Sequence, residues 1–319
     1  MKIALVTGGA GFIGSHLSCR LLSEGWKVVI IDNLSTGFRT NIPAKAEFIK
    51  IDLSKDGFIK KLPRLRYDVV LHLAAQSSGE ISFDDPLYDA KTNCLSTVAL
   101  LNWCCQRRIR RFIYTSSMSI YGDQGDKAVK ETAIAKPKSF YGIGKMASER
   151  YIQIYSKLGL DTTVLRLFNV FGPGQNMQNM RQGMVSIYMA HILKKEKIII
   201  KGSPERFRDF IYIDDVVEAY LSCLSKPVTF GKIYNIGTGK KTKVKELIDH
   251  ELKVFGYDPK SYPMQFAPST PGDTMGIFAD IKAIQRDTGW RPKVNLDKGL
   301  NFMVKWCLGQ NINLKRKGF

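Results

Sequence analysis

The sequence predicts a doubly wound parallel α/β sheet with a smaller C-terminal lobe. Three observations predict it. The apolar run Lys2-Ile3-Ala4-Leu5-Val6 enters a glycine-rich turn, after which Ile13, Leu17 and Leu21 recur at helical spacing. Further runs at 28–32, 47–51, 69–73, 111–115 and 163–167 are short and continuously apolar, as strands buried on both faces of a parallel sheet must be. Helical patterns lie between them, at 92–107 and 140–158 among others. These elements place a first domain at 1–170 and a second lobe at 171–319. After Phe171-Gly172-Pro173-Gly174 the rhythm changes to a helix at 184–193, a strand at 198–200 and a strand with its loop at 230–239. Segments near 208–240 are therefore expected to return to the first domain.

The opening turn predicts a phosphate ligand. Gly8, Gly11 and Gly14 allow a tight turn, a close backbone approach to a diphosphate, and close helix–strand packing. The helix that begins at Phe12 and Ile13 presents unpaired N–H groups and its positive dipole end to the phosphates. The second strand ends in Asp32, whose carboxylate can accept from an adenosine ribose and would repel a 2′-phosphate, so NAD is favoured over NADP. Asn33, Ser35, Thr36 and Gly37 are small and polar enough to wrap the adenine side. A turn cap is the plainer role for Asp32, but the preceding loop already needs a ligand to explain it. Arg39, a conceivable partner for a 2′-phosphate, lies well past the strand end.

Composition narrows the class. A chain of 319 residues, 44% apolar, can bury a large core. It contains no membrane-spanning run and begins with a strand rather than a signal peptide. Cysteines 19, 94, 104, 105, 223 and 307 lack metal-type spacing, so no metal is expected, and they read as buried, reduced thiols of a cytoplasmic protein. The net charge of +19 gathers at Arg107-Arg108, Arg110-Arg111, Lys194-Lys195, Lys240 to Lys245 and Lys315-Arg316-Lys317. These clusters are scattered and lack interleaved aromatics, so a solvated surface explains them better than nucleic acid does.

Catalytic chemistry is expected at Tyr141-Gly142-Ile143-Gly144-Lys145. Pro137 and Ser139 supply a stop and an N-cap, which puts Tyr141 and Lys145 one turn apart on one helix face. A phenol of ordinary pKa, about 10, is a poor base at neutral pH, and a nearby ammonium favours the phenolate. Upstream, the strand at 111–115 runs into the hydroxyls of Thr115, Ser116, Ser117 and Ser119, where ligand is expected. A serine there can bond the substrate oxygen that Tyr141 deprotonates, while the others cap the strand end.

The stretches TGGAGFIG, SSMSIYG and YGIGK together resemble the extended short-chain dehydrogenase/reductase family, in its NAD-dependent sugar-nucleotide epimerase/dehydratase branch. The resemblance runs nearly end to end, through Asp52-Leu53, His72-Leu73-Ala74-Ala75-Gln76, Asn93, Leu167 to Gly174, Arg208 to Asp215 and Tyr234 to Gly239. It implies a Rossmann domain with tightly held NAD and a nucleotide-diphosphate sugar as substrate. By it, Asp52 and Leu53 would touch adenine. Leu73, Ala74, Ala75 and Gln76 would line the pyrophosphate and nicotinamide ribose, with Asn93, Thr115 and Phe168 completing the cofactor site. Ser117, Tyr141 and Lys145 match the catalytic trio. Ser77, Asn169, Gln175, Val185 and Arg208 would hold the substrate, Asn169 and Arg208 at its diphosphate. The alternative for Arg208 is an ion pair with Asp209 or Asp214.

Within that branch, dehydratases carry two acids after the catalytic hydroxyl, because eliminating water across C5–C6 needs an acid and a base. Here Met118 and Ser119 follow Ser117. A keto-sugar reductase would use NADPH, which Asp32 disfavours. Redox-neutral epimerisation remains, with C4 inverted through a transient 4-keto sugar of UDP-glucose/UDP-galactose or UDP-N-acetyl type. The alternatives are a sugar-nucleotide dehydrogenase or dehydratase, and a non-catalytic NAD-binding sensor or scaffold. One departure stands out: the usual Arg before Pro-Gly-Asp is Thr270, leaving Arg206, Lys201 or Arg181 to supply the charge. Ile277, near the position that gates N-acetyl sugars, is of intermediate bulk. Relatives pair as homodimers through a four-helix bundle, for which the apolar stripes in 98–105 and 141–158 could serve.

Overall fold

A computed structural model describes residues 1–309; the basic run Lys315-Arg316-Lys317 and the end of the second lobe lie outside the described residues. The central sheet contains β1 (Ile3–Thr7), β2 (Lys27–Asp32), β3 (Glu47–Lys50), β4 (Val69–His72), β5 (Arg111–Ser117) and β6 (Asp161–Leu167). A last strand, Lys232–Ile236, returns from the second half of the chain to pair with β6. The spatial order is Lys232–Ile236, β6, β5, β4, β1, β2, β3, with every pair parallel. Chain direction across the sheet reverses beside β1, and the crevice at that switch point is where such sheets bind ligands.

Period-two side-chain alternation builds a separate core on each face of this sheet. Ala4, Val6, Val28, Ile30, Val69 and Leu71 face one side, under helices α1 (Phe12–Ser23) and, later in the chain, Ile213–Leu224. Leu5, Val29, Ile31, Val70, Phe112 and Tyr114 face the other, with Leu100, Leu101 and Cys104 of the helix over 96–106. The helix expected at 92–107 starts earlier. Asp85 accepts from the Tyr88 N–H at 2.9 Å as N-cap, and Pro86 occupies the first turn of α2 (Pro86–Ala90). A π-helical turn over Lys91–Leu95 then leads into α3 (Ser96–Gln106). Periodicity missed the first turn because the inserted π residue shifts the apolar phase.

Helix α4 (Phe140–Lys157) is capped by Ser139, whose Oγ accepts from the Gly142 N–H at 3.1 Å. Beyond α4 the chain forms α5 (Met184–Leu193), α6 (Ile213–Leu224), α7 (Val244–Val254), α8 (Lys282–Thr288) and α9 (Leu296–Cys307), with short strand pairs among them; α6 lies beside α1 and α8 beside the last strand of the central sheet. Two of these pairs are parallel, Ile198–Lys201 with Met264–Ala267 and Asn169–Phe171 with Phe210–Tyr212. The cysteines depart from expectation. All six are free thiols, but only Cys104 and Cys223 are buried, and Cys105 is exposed because it lies on the outer face of α3.

Candidate active site

A cleft of about 370 Å³ opens at the carboxyl ends of the central strands. Its floor is the β1–α1 turn, held bare by geometry. Gly8 has φ +73°, and a Cβ there would come within 2.7 Å of the Ala74 amide nitrogen. A Cβ on Gly14 would overlap the Gly8 carbonyl oxygen. The turn therefore lies against the loop after β4 with no side chain between them. Gly8, Gly11, Phe12, Ile13 and Gly14 line the cleft together with Leu73, Ala74 and Ala75. A bare backbone facing a helix N-terminus suits a diphosphate, so the cradle fits NAD.

Asp32 lies at the adenine end, nearly sealed. Its Oδ2 accepts from the Ala10 N–H at 3.0 Å and its Oδ1 from the Leu34 N–H at 2.8 Å, while burial pushes the carboxyl upward. Asp32 thus acts as a cap, while both of its oxygens keep a second lone pair and the side chain still lines the cleft. Leu34 sits at φ +61°, a left-handed backbone at the mouth of the adenine side. Asn33, Ser35, Thr36, Asp52 and Leu53 complete this end, whereas Gly37 packs on the Ala10–Gly11 backbone behind the wall. Arg39 is turned over the Phe48 ring, 5.2 Å from its centroid.

At the opposite end β5 and α4 bring Thr115, Ser117, Tyr141 and Lys145 together, with Phe168 and Asn169 across from them. Lys145 is 2% exposed and donates from Nζ to the Thr115 carbonyl at 2.9 Å. Its Nζ sits 4.7 Å from the Tyr114 ring centroid and 5.8 Å from that of Tyr141. Ser117 Oγ accepts from the Ser119 N–H at 3.1 Å, which fixes the hydroxyl at the strand end. Burial pushes the Tyr141 phenol up to about 12, opposed by a hydrogen bond from Ser117, and pulls Lys145 down to about 7. The ammonium therefore does not by itself bring the phenol below its ordinary value; the expected lowering also draws on the positive charge of an oxidised nicotinamide. Burial disfavours the charged form of each group, while Asp89 and Glu149 draw Lys145 back toward the ammonium.

Two expected cofactor residues stand behind the wall. Gln76 donates from Nε2 to Ser78 O at 2.8 Å and to Asp89 Oδ2 at 2.9 Å. Asn93, in the π-helical turn, donates to Gln76 O and to Asp89 Oδ2, both at 2.9 Å. His72 bridges Thr7 and Thr97 at 2.7 and 3.0 Å, and burial drives it down to about 3, a neutral strut between β1 and α3. Sequence reasoning missed Asp89, the buried hub of this frame; its spacing of four from Asn93 on one helix was the available signal.

Ser77, Gln175 and Val185 line the remaining wall, where Gln182 donates to Ser77 Oγ at 2.8 Å. Met118, Asn179, Gln182 and Met184 also line it, and sequence reasoning did not single out the last three. Arg208 is 5% exposed and forms an ion pair, but with neither expected partner: its Nη2 meets Asp273 Oδ1 at 2.7 Å. Asp209 instead accepts from Thr238 and Gly239 amides at 2.8 and 2.9 Å, tying down the loop after Lys232–Ile236. Arg206 clamps the other oxygen of Asp273 and donates to the Ser203 and Lys201 carbonyls. Arg181 is tied to Glu80 and Asp84, and Lys201 approaches Glu80. Among the described residues no cluster of metal-ligating side chains occurs, and no helix is long and apolar enough to cross a membrane.

A phenol that can exchange a proton, placed at the end of a dinucleotide-shaped cleft, defines the class of a nicotinamide-dependent enzyme acting on an alcohol. Comparison with known proteins sharpens it. The chain belongs to the NAD dependent epimerase/dehydratase family, whose family model matches residues 4–237. It is 35% identical over 309 residues to the UDP-glucose 4-epimerase of Mycolicibacterium smegmatis, covering 95% of this chain and 97% of that one. Among solved structures it resembles the UDP-glucose 4-epimerase of Thermotoga maritima with UDP-glucose, at TM-score 0.91 and 36% identity, covering 96% and 99% of the two chains. It also resembles the UDP-N-acetylglucosamine 4-epimerase of Methanobrevibacter ruminantium, at TM-score 0.88 and 30% identity, covering 97% and 99%.

Proposed function

We propose that this protein is an NAD-dependent epimerase that inverts C4 of a UDP-hexose. The observation that carries the reading is the convergence of Ser117, Tyr141 and Lys145 on one end of the glycine-floored cleft. NAD, when bound, supplies the hydride acceptor and donor and a positive charge beside the phenol. Tyr141 takes the C4 hydroxyl proton and later returns it, Lys145 stabilises the phenolate and holds the nicotinamide ribose, and Ser117 bonds the reacting oxygen. Met118 and Ser119 offer no acid for eliminating water, which favours epimerisation over dehydration.

Residues 1–170 serve as the NAD domain and 171–319 mainly as the substrate lobe, with segments near 208–240 returning to the first domain. Asn169, Gln175 and Val185 face the substrate. Arg206 and Arg208 share one carboxylate, which leaves one buried positive charge in excess; this pair supplies the diphosphate with the charge that Thr270 lacks. The protein works as a cytoplasmic homodimer. Leu87, Leu95, Ile143, Tyr151, Ile154 and Leu158 are exposed along α2 to α4, an apolar face suited to a second copy.

The deciding assay incubates the purified protein with UDP-glucose and, separately, UDP-N-acetylglucosamine. Product is read by NMR while absorbance follows NADH. Formation of the C4 epimer without net NADH is expected; stoichiometric NADH would make the protein a dehydrogenase. Sedimentation of the protein should give the dimer mass, and Leu158→Asp should shift it to monomer.

A further inference from the structure

We propose that Asp89 is a positioning residue for the catalytic pair: its buried carboxylate holds Lys145 in the ammonium form while tying Gln76 and Asn93 into the same frame. This rests on the reading of Tyr141 and Lys145 given above. Asp89 is 1% exposed. Its Oδ2 accepts from both amides, but its Oδ1 has no hydrogen-bond partner. That free oxygen lies 3.3 Å from where a Cβ on Gly144 would stand, so bare helix backbone separates it from α4 one residue before Lys145. An unpaired, sealed carboxylate oxygen costs free energy unless a nearby charge compensates it.

Lys145 presents the complementary deficit. Its Nζ is buried and bonded to one neutral carbonyl, the Thr115 oxygen. The other acid on its own helix, Glu149, is already engaged. Arg166 grips it at 2.6 and 2.9 Å, and Ser116 Oγ donates to it at 2.6 Å. The remaining groups facing the pair are uncharged: His72 from β4, Tyr114 from β5, and Tyr220 from α6, which is bonded to Thr115. Charge therefore balances as two pairs, Arg166 with Glu149 and Lys145 with Asp89. Of the acids that raise Lys145, Asp89 is the larger influence, and the same charge raises Tyr141.

Asp89→Asn isolates the charge. Its side-chain oxygen still accepts from Gln76 and Asn93, and its amide takes the place of the oxygen that has no hydrogen-bond partner. The melting temperature should hold. Because a negative charge favours the protonated form of both members of a coupled pair, removing it shifts both limbs of the kcat–pH profile to lower pH by about one unit. The tyrosinate absorbance that disappears in Tyr141→Phe should move likewise in the NAD-loaded protein. A kcat reduced by one factor at every pH, with limbs and tyrosinate midpoint unmoved, would overturn the proposal and leave Asp89 a structural tie. Should the Asn variant not fold, Asp89→Ser is read in the same way. If no UDP-hexose is epimerised, the functional reading fails, but the tyrosinate titration still decides the role of Asp89.

Discussion

At the scale of single residues, the cleft depends on groups kept in uncharged or constrained forms by burial. Burial pushes Tyr141 up and Lys145 down, so a positive charge beside the phenol favours its ionisation, while the nearby acids, Asp89 first, favour the ammonium of Lys145. Tyr141→Phe should retain NAD, measured by the absorbance of the purified protein, and lose kcat by about 10² to 10⁴-fold. Asp32→Asn keeps one oxygen for the amide of either Ala10 or Leu34, loses the acceptor for the other, and removes the charge. Its Kd for NADP should fall toward that for NAD, by about tenfold or more, in a fluorescence titration. The sequence offered a cap and a ribose acceptor as alternatives for Asp32; the structure shows the cap bonds and leaves the carboxylate on the cleft wall. Arg208 was legible as a functional arginine, yet its partner was not. Asp273 lies 65 positions away in sequence, so no local spacing could reveal it.

Elements translate those residues into geometry. Ser139 begins α4 and thereby sets the rotation that aims Tyr141 and Lys145 together. Ser139→Ala removes one N-cap bond and should cost about 1 kcal/mol in chemical denaturation. Gly14→Ala is more severe, since the added methyl meets the Gly8 carbonyl oxygen. The turn must open, and NAD retention should be lost even where the far-ultraviolet circular dichroism is kept. Strand identities were legible because continuous apolar runs bounded by turns leave few alternatives. The start of α2 was not, because the π-helical turn over Lys91–Leu95 shifts the register on which periodicity relies. The same turn carries Asn93, whose place behind the cleft wall follows from bonds to Gln76 and Asp89.

For the whole molecule, stability and function draw on contacts between distant segments. Arg166 and Glu149 join β6 to α4 in a sealed ion pair, with Tyr121 and Asn235 extending the network to the edge strand. Glu251 on α7 is the exception, a fully buried acid with neither oxygen partnered, and burial drives its pKa well above the ordinary 4.5. The folded acid keeps its proton while the unfolded one releases it near pH 4.5, so stability falls as pH rises above that value. Glu251→Gln should match the wild type at pH 4 and exceed it at pH 8 by at least about 1.4 kcal/mol, one pKa unit of linkage. Thermal melts at the two pH values would show it.

The sequence by itself determined the doubly wound sheet, the dinucleotide turn, the place of Asp32 at the end of the second strand and the pairing of Tyr141 with Lys145. Each rests on interactions within a turn or two of chain, where spacing dictates contact. Only the tertiary structure decided the burial that acts on that pair, the partner of Arg208, the sharing of Asp273 with Arg206, and the place of Asp89. These depend on desolvation and on charges brought together across long separations, and a burial that exists only once both lobes are packed leaves no local mark on the chain.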